Sequence, residues 1–102
     1  MEINVEIKNL TKEDIIYILS EGFKYPIWNK NNVLEITNQL LDNEYTTIIS
    51  SKNIRFSISL HRLYKGIELF IKNGGSTDID DYDLVDADSV LQYAIFEEVI
   101  WG

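Results

Sequence analysis

The chain has 102 residues, 45% of them hydrophobic, with one proline, five glycines and no cysteine. That is enough for one core and too little for two, so a single domain over 1–102 is expected, and disulfides and thiolate metal sites are excluded. Net charge is −8: residues 1–72 hold nine acids against nine Lys and Arg, while residues 73–102 hold eight acids and no base. Direct nucleic-acid binding through that acidic end is excluded by phosphate repulsion, leaving a basic protein surface or plain solubility.

Ile3, Val5 and Ile7 alternate with Glu2, Asn4, Glu6 and Lys8, which predicts a first strand with one buried face. The same segment lacks the basic and apolar regions of a secretion signal, and no apolar run is long enough to span a bilayer, so a cytoplasmic protein with no membrane partner is expected. Thr11 with Asp14 forms a capping-box pattern, and Leu10 and Ile15 stand at hydrophobic-staple positions. The helix that follows would bury Ile15, Ile16, Leu19 and Phe23 and stop at Gly22. Pro26 predicts a loop over 24–31 carrying Trp28. Asn32 with Glu35 opens a second helix, with Val33, Ile36 and Leu40 inward.

Tyr45–Ile49, a turn over 50–53, and the alternating Ile54, Phe56 and Ile58 predict a hairpin. Leu60, Leu63, Tyr64, Ile67, Phe70 and Ile71 trace an amphipathic helix ended by Asn73, Gly74 and Gly75. An acidic stretch over 76–86 leads to a last helix, which Asp86 would cap and Asp88 would favour through the macrodipole. Val90, Leu91, Ala94, Ile95 and Val99 supply its core face. Tyr93, Phe96, Ile100 and Trp101 widen its apolar surface, which implies deep burial or a partner. The fold class expected is α+β, with a small antiparallel sheet of about three strands, three to four helices and the order β-α-α-β-β-α-α.

No pattern supports catalysis or a cofactor. His61, the one histidine, is expected as an exposed surface residue with no paired nucleophile or acid. The aspartate run fails as a calcium loop: starting at Asp78 puts Ser89 where glutamate is needed, and starting at Asp81 puts Asp86 at the glycine position. As an extended chain it carries one charge per roughly 6 Å, against one per 3.4 Å along a DNA strand, too sparse to imitate nucleic acid. Only folding that brings Glu97, Glu98 or Glu68 beside it would raise the density. Glu97 and Glu98 fall at the end of a helix, where the dipole disfavours carboxylates by about 0.3–1 kcal/mol each, and so invite a partner's Lys or Arg.

Asn9-Leu-Thr-Lys-Glu-Asp-Ile, Leu63-Tyr-Lys-Gly-Ile, and the ending Asp86-Ala-Asp-Ser-Val-Leu-Gln-Tyr-Ala-Ile-Phe-Glu-Glu-Val-Ile-Trp-Gly resemble small acidic proteins of phages and conjugative elements of Gram-positive bacteria. Those proteins read Phe-Gly-Glu where this chain has Phe96, Glu97 and Glu98. The resemblance implies a mobile-element setting, in which small acidic proteins inhibit host defence nucleases, CRISPR effectors among them, by covering basic surfaces. The expected docking residues are Asp78, Asp80, Asp81, Asp83, Glu97 and Glu98 for charge, with Tyr82 and Trp101 as apolar anchors. An oligomeric accessory or scaffolding protein, dimerising through the apolar last helix, is the alternative.

Overall fold

The computed structural model describes residues 10–100. The expected strand at Ile3–Ile7 and the expected anchor Trp101 lie outside them. The described residues form an α+β fold of four helices and one antiparallel hairpin: α1 (Lys12–Gly22), α2 (Val33–Asn43), β1 (Tyr45–Ile49), β2 (Arg55–Ser59), α3 (Leu60–Lys72) and α4 (Leu84–Phe96), with 3-10 turns at Pro26–Trp28 and Ile79–Asp81. None of these helices is long and apolar enough to cross a membrane.

Most helix ends obey local chemistry. Thr11 Oγ1 accepts from Asp14 N–H and Asp14 Oδ2 from Thr11 N–H, both at 3.1 Å, the reciprocal capping box. Asn32 and Ser59 cap α2 and α3 in the simpler way. At the end of α3, Gly74 takes φ 96°, its N–H donates to Ile71 C=O and that of Gly75 to Phe70 C=O, a Schellman closure that satisfies two otherwise orphaned carbonyls.

Packing corrects the expected core face of α1 and gives its last residue a further role. The buried side chains of α1 are Ile15, Ile18 and Leu19, so the core face lies on the Ile18 side and Ile16 is only partly covered. α1 ends at Gly22 as expected, though without a left-handed turn, since it closes on Phe23 at φ −78°. Gly22 is also a contact surface, where a Cβ would lie 2.7 Å from Leu91 Cδ1 of α4. Gly66 plays the same part on α3 more stringently: a Cβ there would meet Val90 C=O at 2.5 Å. Small residues on both sides thus let α4 settle between α1 and α3, with Ala87, Val90, Leu91 and Ala94 all buried.

The hairpin pairs Tyr45 with Ser59 through Ile49 with Arg55. Its three-residue loop is closed by Ser50 N–H to Ile54 C=O at 2.8 Å, with Asn53 left-handed at φ 64°, a conformation asparagine tolerates well. Ile48 and Ile58 are buried and Phe56 partly so, whereas Ile54, expected inward, is half exposed because it belongs to the turn. Asn31 braces the other side of β1: its amide donates to Ile49 C=O and accepts from Ile49 N–H, both at 2.8 Å.

Among the described residues Trp28 is the largest fully buried side chain. It sits on the 3-10 turn that Pro26 opens, and its ring makes an edge contact with Phe56, which in turn meets Phe96 edge-on at 5.2 Å. Its indole Nε1 donates to Asp88 Oδ1 at 2.7 Å, and Gln92 Nε2 donates to Asp88 Oδ2 at 2.8 Å. Asp88, expected to serve the exposed first turn of the last helix, is 2% exposed and stands one turn deeper. Replacing it by alanine strands two buried donors and costs about 3–5 kcal/mol, read as a lowered urea midpoint. Asp88→Asn, which keeps the shape, is expected to lose less.

Candidate functional site

The acidic stretch is an ordered corner. Asp78 Oδ1 accepts from Asp80 N–H at 3.1 Å and Asp78 N–H donates to Ser76 Oγ at 3.0 Å, which shape the turn over Ile79–Asp81. From α1, the Tyr17 hydroxyl donates to Tyr82 C=O at 2.9 Å and lies 3.1 Å from Asp80 C=O, fixing the corner to the first helix. Ile79 packs partly into the core beneath it.

Tyr82 does not present itself to a partner. At 1% exposure it is a core residue, its ring edge-on to Phe70 at 5.1 Å and its hydroxyl donating to Ser76 C=O at 2.9 Å. Burial, followed by the charges of Asp86 and Asp78, pushes its phenol up to about 12. Burial chiefly, with Glu21 and Asp80 beside it, also raises the Tyr17 phenol.

α4 begins earlier than Asp86. Asp83 is the N-cap, its Oδ1 accepting from Asp86 N–H at 2.8 Å, and Asp86 is the reciprocal partner, its Oδ2 accepting from Asp83 N–H at 3.1 Å. This places Leu84 and Val85 in the first turn, 37% and 55% exposed, next to the acids. The spacing Asp83-x-x-Asp86 repeats that of Thr11-x-x-Asp14 and is the signal that would have located them from sequence.

Structural work therefore accounts for Asp78, Asp83, Asp86 and Asp88. Asp80 and Asp81 remain exposed and, among the described residues, carry no side-chain hydrogen bond and no ion pair. Glu21 of α1 adds to their negative field at Tyr17; its own ion pair is with Lys24 at 2.8 Å. Among the described residues no group of acids or histidines is arranged to hold a metal ion.

Glu97 and Glu98 do not join this corner. Thirteen residues of α4 separate them from Asp83, about 20 Å at 1.5 Å per residue. Glu68 is likewise taken up by Lys72 at 3.2 Å. These three glutamates therefore add no phosphate-like charge density to the corner. Glu97 in fact lies past the last helical turn: it closes α4 in the left-handed conformation, φ 62°, with its N–H donating to Tyr93 C=O at 3.0 Å. Its carboxylate stands 4.0 Å from Arg62 of α3, both side chains largely exposed, a contact worth little in water. Glu98 follows, exposed. Along the rest of the surface, His61 is exposed, as expected.

Comparison with protein-family models, with curated proteins and with solved structures finds no match for the chain.

Two outcomes are expected. Glu97→Gly relieves the left-handed conformation and raises stability by about 0.5–1 kcal/mol, read from the denaturation midpoint. For Tyr82, whose folded pKa is raised above its ordinary 10.0, the unfolded chain loses its proton first as pH rises. Stability is therefore complete below pH 10 and falls, by up to about 1.4 kcal/mol per pH unit, toward about pH 12. Tyr82→Phe, less stable than the parent at neutral pH for want of the Ser76 hydrogen bond, is expected to close that gap under alkaline conditions.

Proposed function

We propose that this is a non-enzymatic protein-binding inhibitor from a mobile genetic element, acting in the cytoplasm as an anti-CRISPR or other anti-defence protein. Its acidic corner covers a basic, nucleic-acid-binding surface of the target. The observation that carries this reading is the exposed pair Asp80 and Asp81, held rigid yet given no structural task, with Leu84 and Val85 exposed beside them. Charge steers the encounter and sets its salt dependence, and apolar side chains at the centre of such a patch supply affinity that survives salt. Order in the corner lowers the entropy lost on docking. Neither direct nucleic-acid contact nor catalysis is part of the proposal.

Self-association through the C-terminal helix is the second reading. α4 spends most of its apolar side chains on the internal core, so that reading rests on Val99 and Ile100 just beyond it, 42% and 48% exposed.

The test is salt-graded affinity capture of a basic nucleic-acid-binding protein on immobilised wild type and on an Asp80→Lys, Asp81→Lys double variant. Expected is retention at low ionic strength, competition by added DNA or RNA, and loss of about tenfold or more in affinity for the double variant at unchanged thermal stability. Retention unaffected by the reversal sinks the proposal, and a concentration-dependent dimer in sedimentation supports the second reading.

A further inference from the structure

No described residue pairs with one side of the β2 backbone. Leu60 N–H donates to Glu44 C=O and Ser50 N–H to Ile54 C=O, each at 2.8 Å, so in this register the even-numbered pairs carry the ladder. Alternation then turns the N–H and C=O groups of Arg55 and Ser57 away from β1. Among the described residues nothing hydrogen-bonds to them, and both residues are exposed.

A groove of about 400 Å³ lies beside these groups. It takes in Arg55 and Ser57 from the solvent face of β2, Phe56 from its core face, and Phe96 at the end of α4, but no residue of β1. A groove that meets both faces of one strand and misses its partner runs along the outer edge. Arg62 of α3 stands at its rim. Two arginines therefore flank a strand edge that no described residue pairs, and Glu97 lies 4.0 Å from Arg62.

We infer that this edge takes up an extended acidic peptide segment of a partner protein as an added strand. Strand addition satisfies the outward peptide groups, and the two-residue period sorts the ligand's side chains by face. Carboxylates fit the face shared with Arg55, and apolar side chains fit the face shared with Phe56 and Phe96. Charge argues against a second copy: β2 paired with its own mate about Ser57 would set each Arg55 opposite the mate's Ser59, on the side that also carries Arg62, with four arginines met by one Glu97 from each copy. The edge lies at the opposite end of α4 from the acidic corner and is independent of it.

The experiment titrates the full chain against a fluorescein-labelled decapeptide of alternating glutamate and valine, read by anisotropy. Expected is saturable binding, weakened about tenfold by Arg55→Glu or Arg62→Glu and tightened by Glu97→Gln, which frees Arg62. N-methylation of the peptide amides that face β2 is expected to abolish binding, and methylation of the alternate set to change it by no more than about twofold. Ser57→Pro, which removes an outward N–H and leaves the ladder to β1 in place, is expected to weaken it too. Equal binding of both methylated peptides, or none to the folded wild type, overturns the inference. So does a wild-type dimer that Ser57→Pro dissociates, because a second copy then occupies the edge.

Discussion

A buried carboxylate holds this molecule together. Asp88 takes the Trp28 indole and the Gln92 amide at 2.7 and 2.8 Å, and Gln92 Oε1 in turn accepts Ile100 N–H at 2.9 Å. A loop, the last helix and the segment after it are tied through one polar node inside an apolar core. Burying such a group is costly unless its hydrogen-bonding capacity is met, and this requirement is what makes the node specific. Trp28 can occupy one position relative to α4, and the aromatic contacts to Phe56 and Phe96 follow from it.

With α4 fixed as the central element, its two ends carry different charged surroundings. The N-terminal end carries the acidic corner, built against α1 through Tyr17. The C-terminal end meets β2 and α3, where Arg55 and Arg62 border the outer edge of β2. The nine acids and nine bases of the first 72 residues, balanced in number, are not uniformly mixed in space: Glu21 adds to the acidic end and the arginines to the other. The molecule thus presents an acidic surface and, about one helix length away, a mixed one where two arginines stand with Glu97 and Glu98.

The acidic corner also shows how much of a charge run can be structural. Asp78 shapes a turn, Asp83 and Asp86 cap a helix, and Asp88 supports the core. Each carboxylate meets backbone N–H groups or buried donors that would otherwise go unsatisfied. Asp80 and Asp81 are left without a structural task beside the still charged Asp78 and Asp83, and the apolar pair Leu84 and Val85 gives the corner a second kind of chemistry.

Local rules made much of the fold legible. Capping patterns placed α1 and α2, the apolar stripe placed α3, β-branched residues and turn chemistry placed the hairpin, and the diglycine ended α3 where the structure ends it, because each depends on residues a few positions apart. The α+β class and the segregation of charge were likewise determined by the sequence itself. Tertiary structure decided the rest. That Asp88 is a core residue depends on Trp28, sixty positions away; that Tyr82 is buried depends on Phe70 and Ser76; that Gly22 and Gly66 are contact surfaces depends on where α4 passes. Glu97 has a basic neighbour only because α3 returns alongside α4. Burial and pairing of this kind are properties of the packed chain, fixed by contacts between segments distant in sequence, and no periodicity within one segment encodes them.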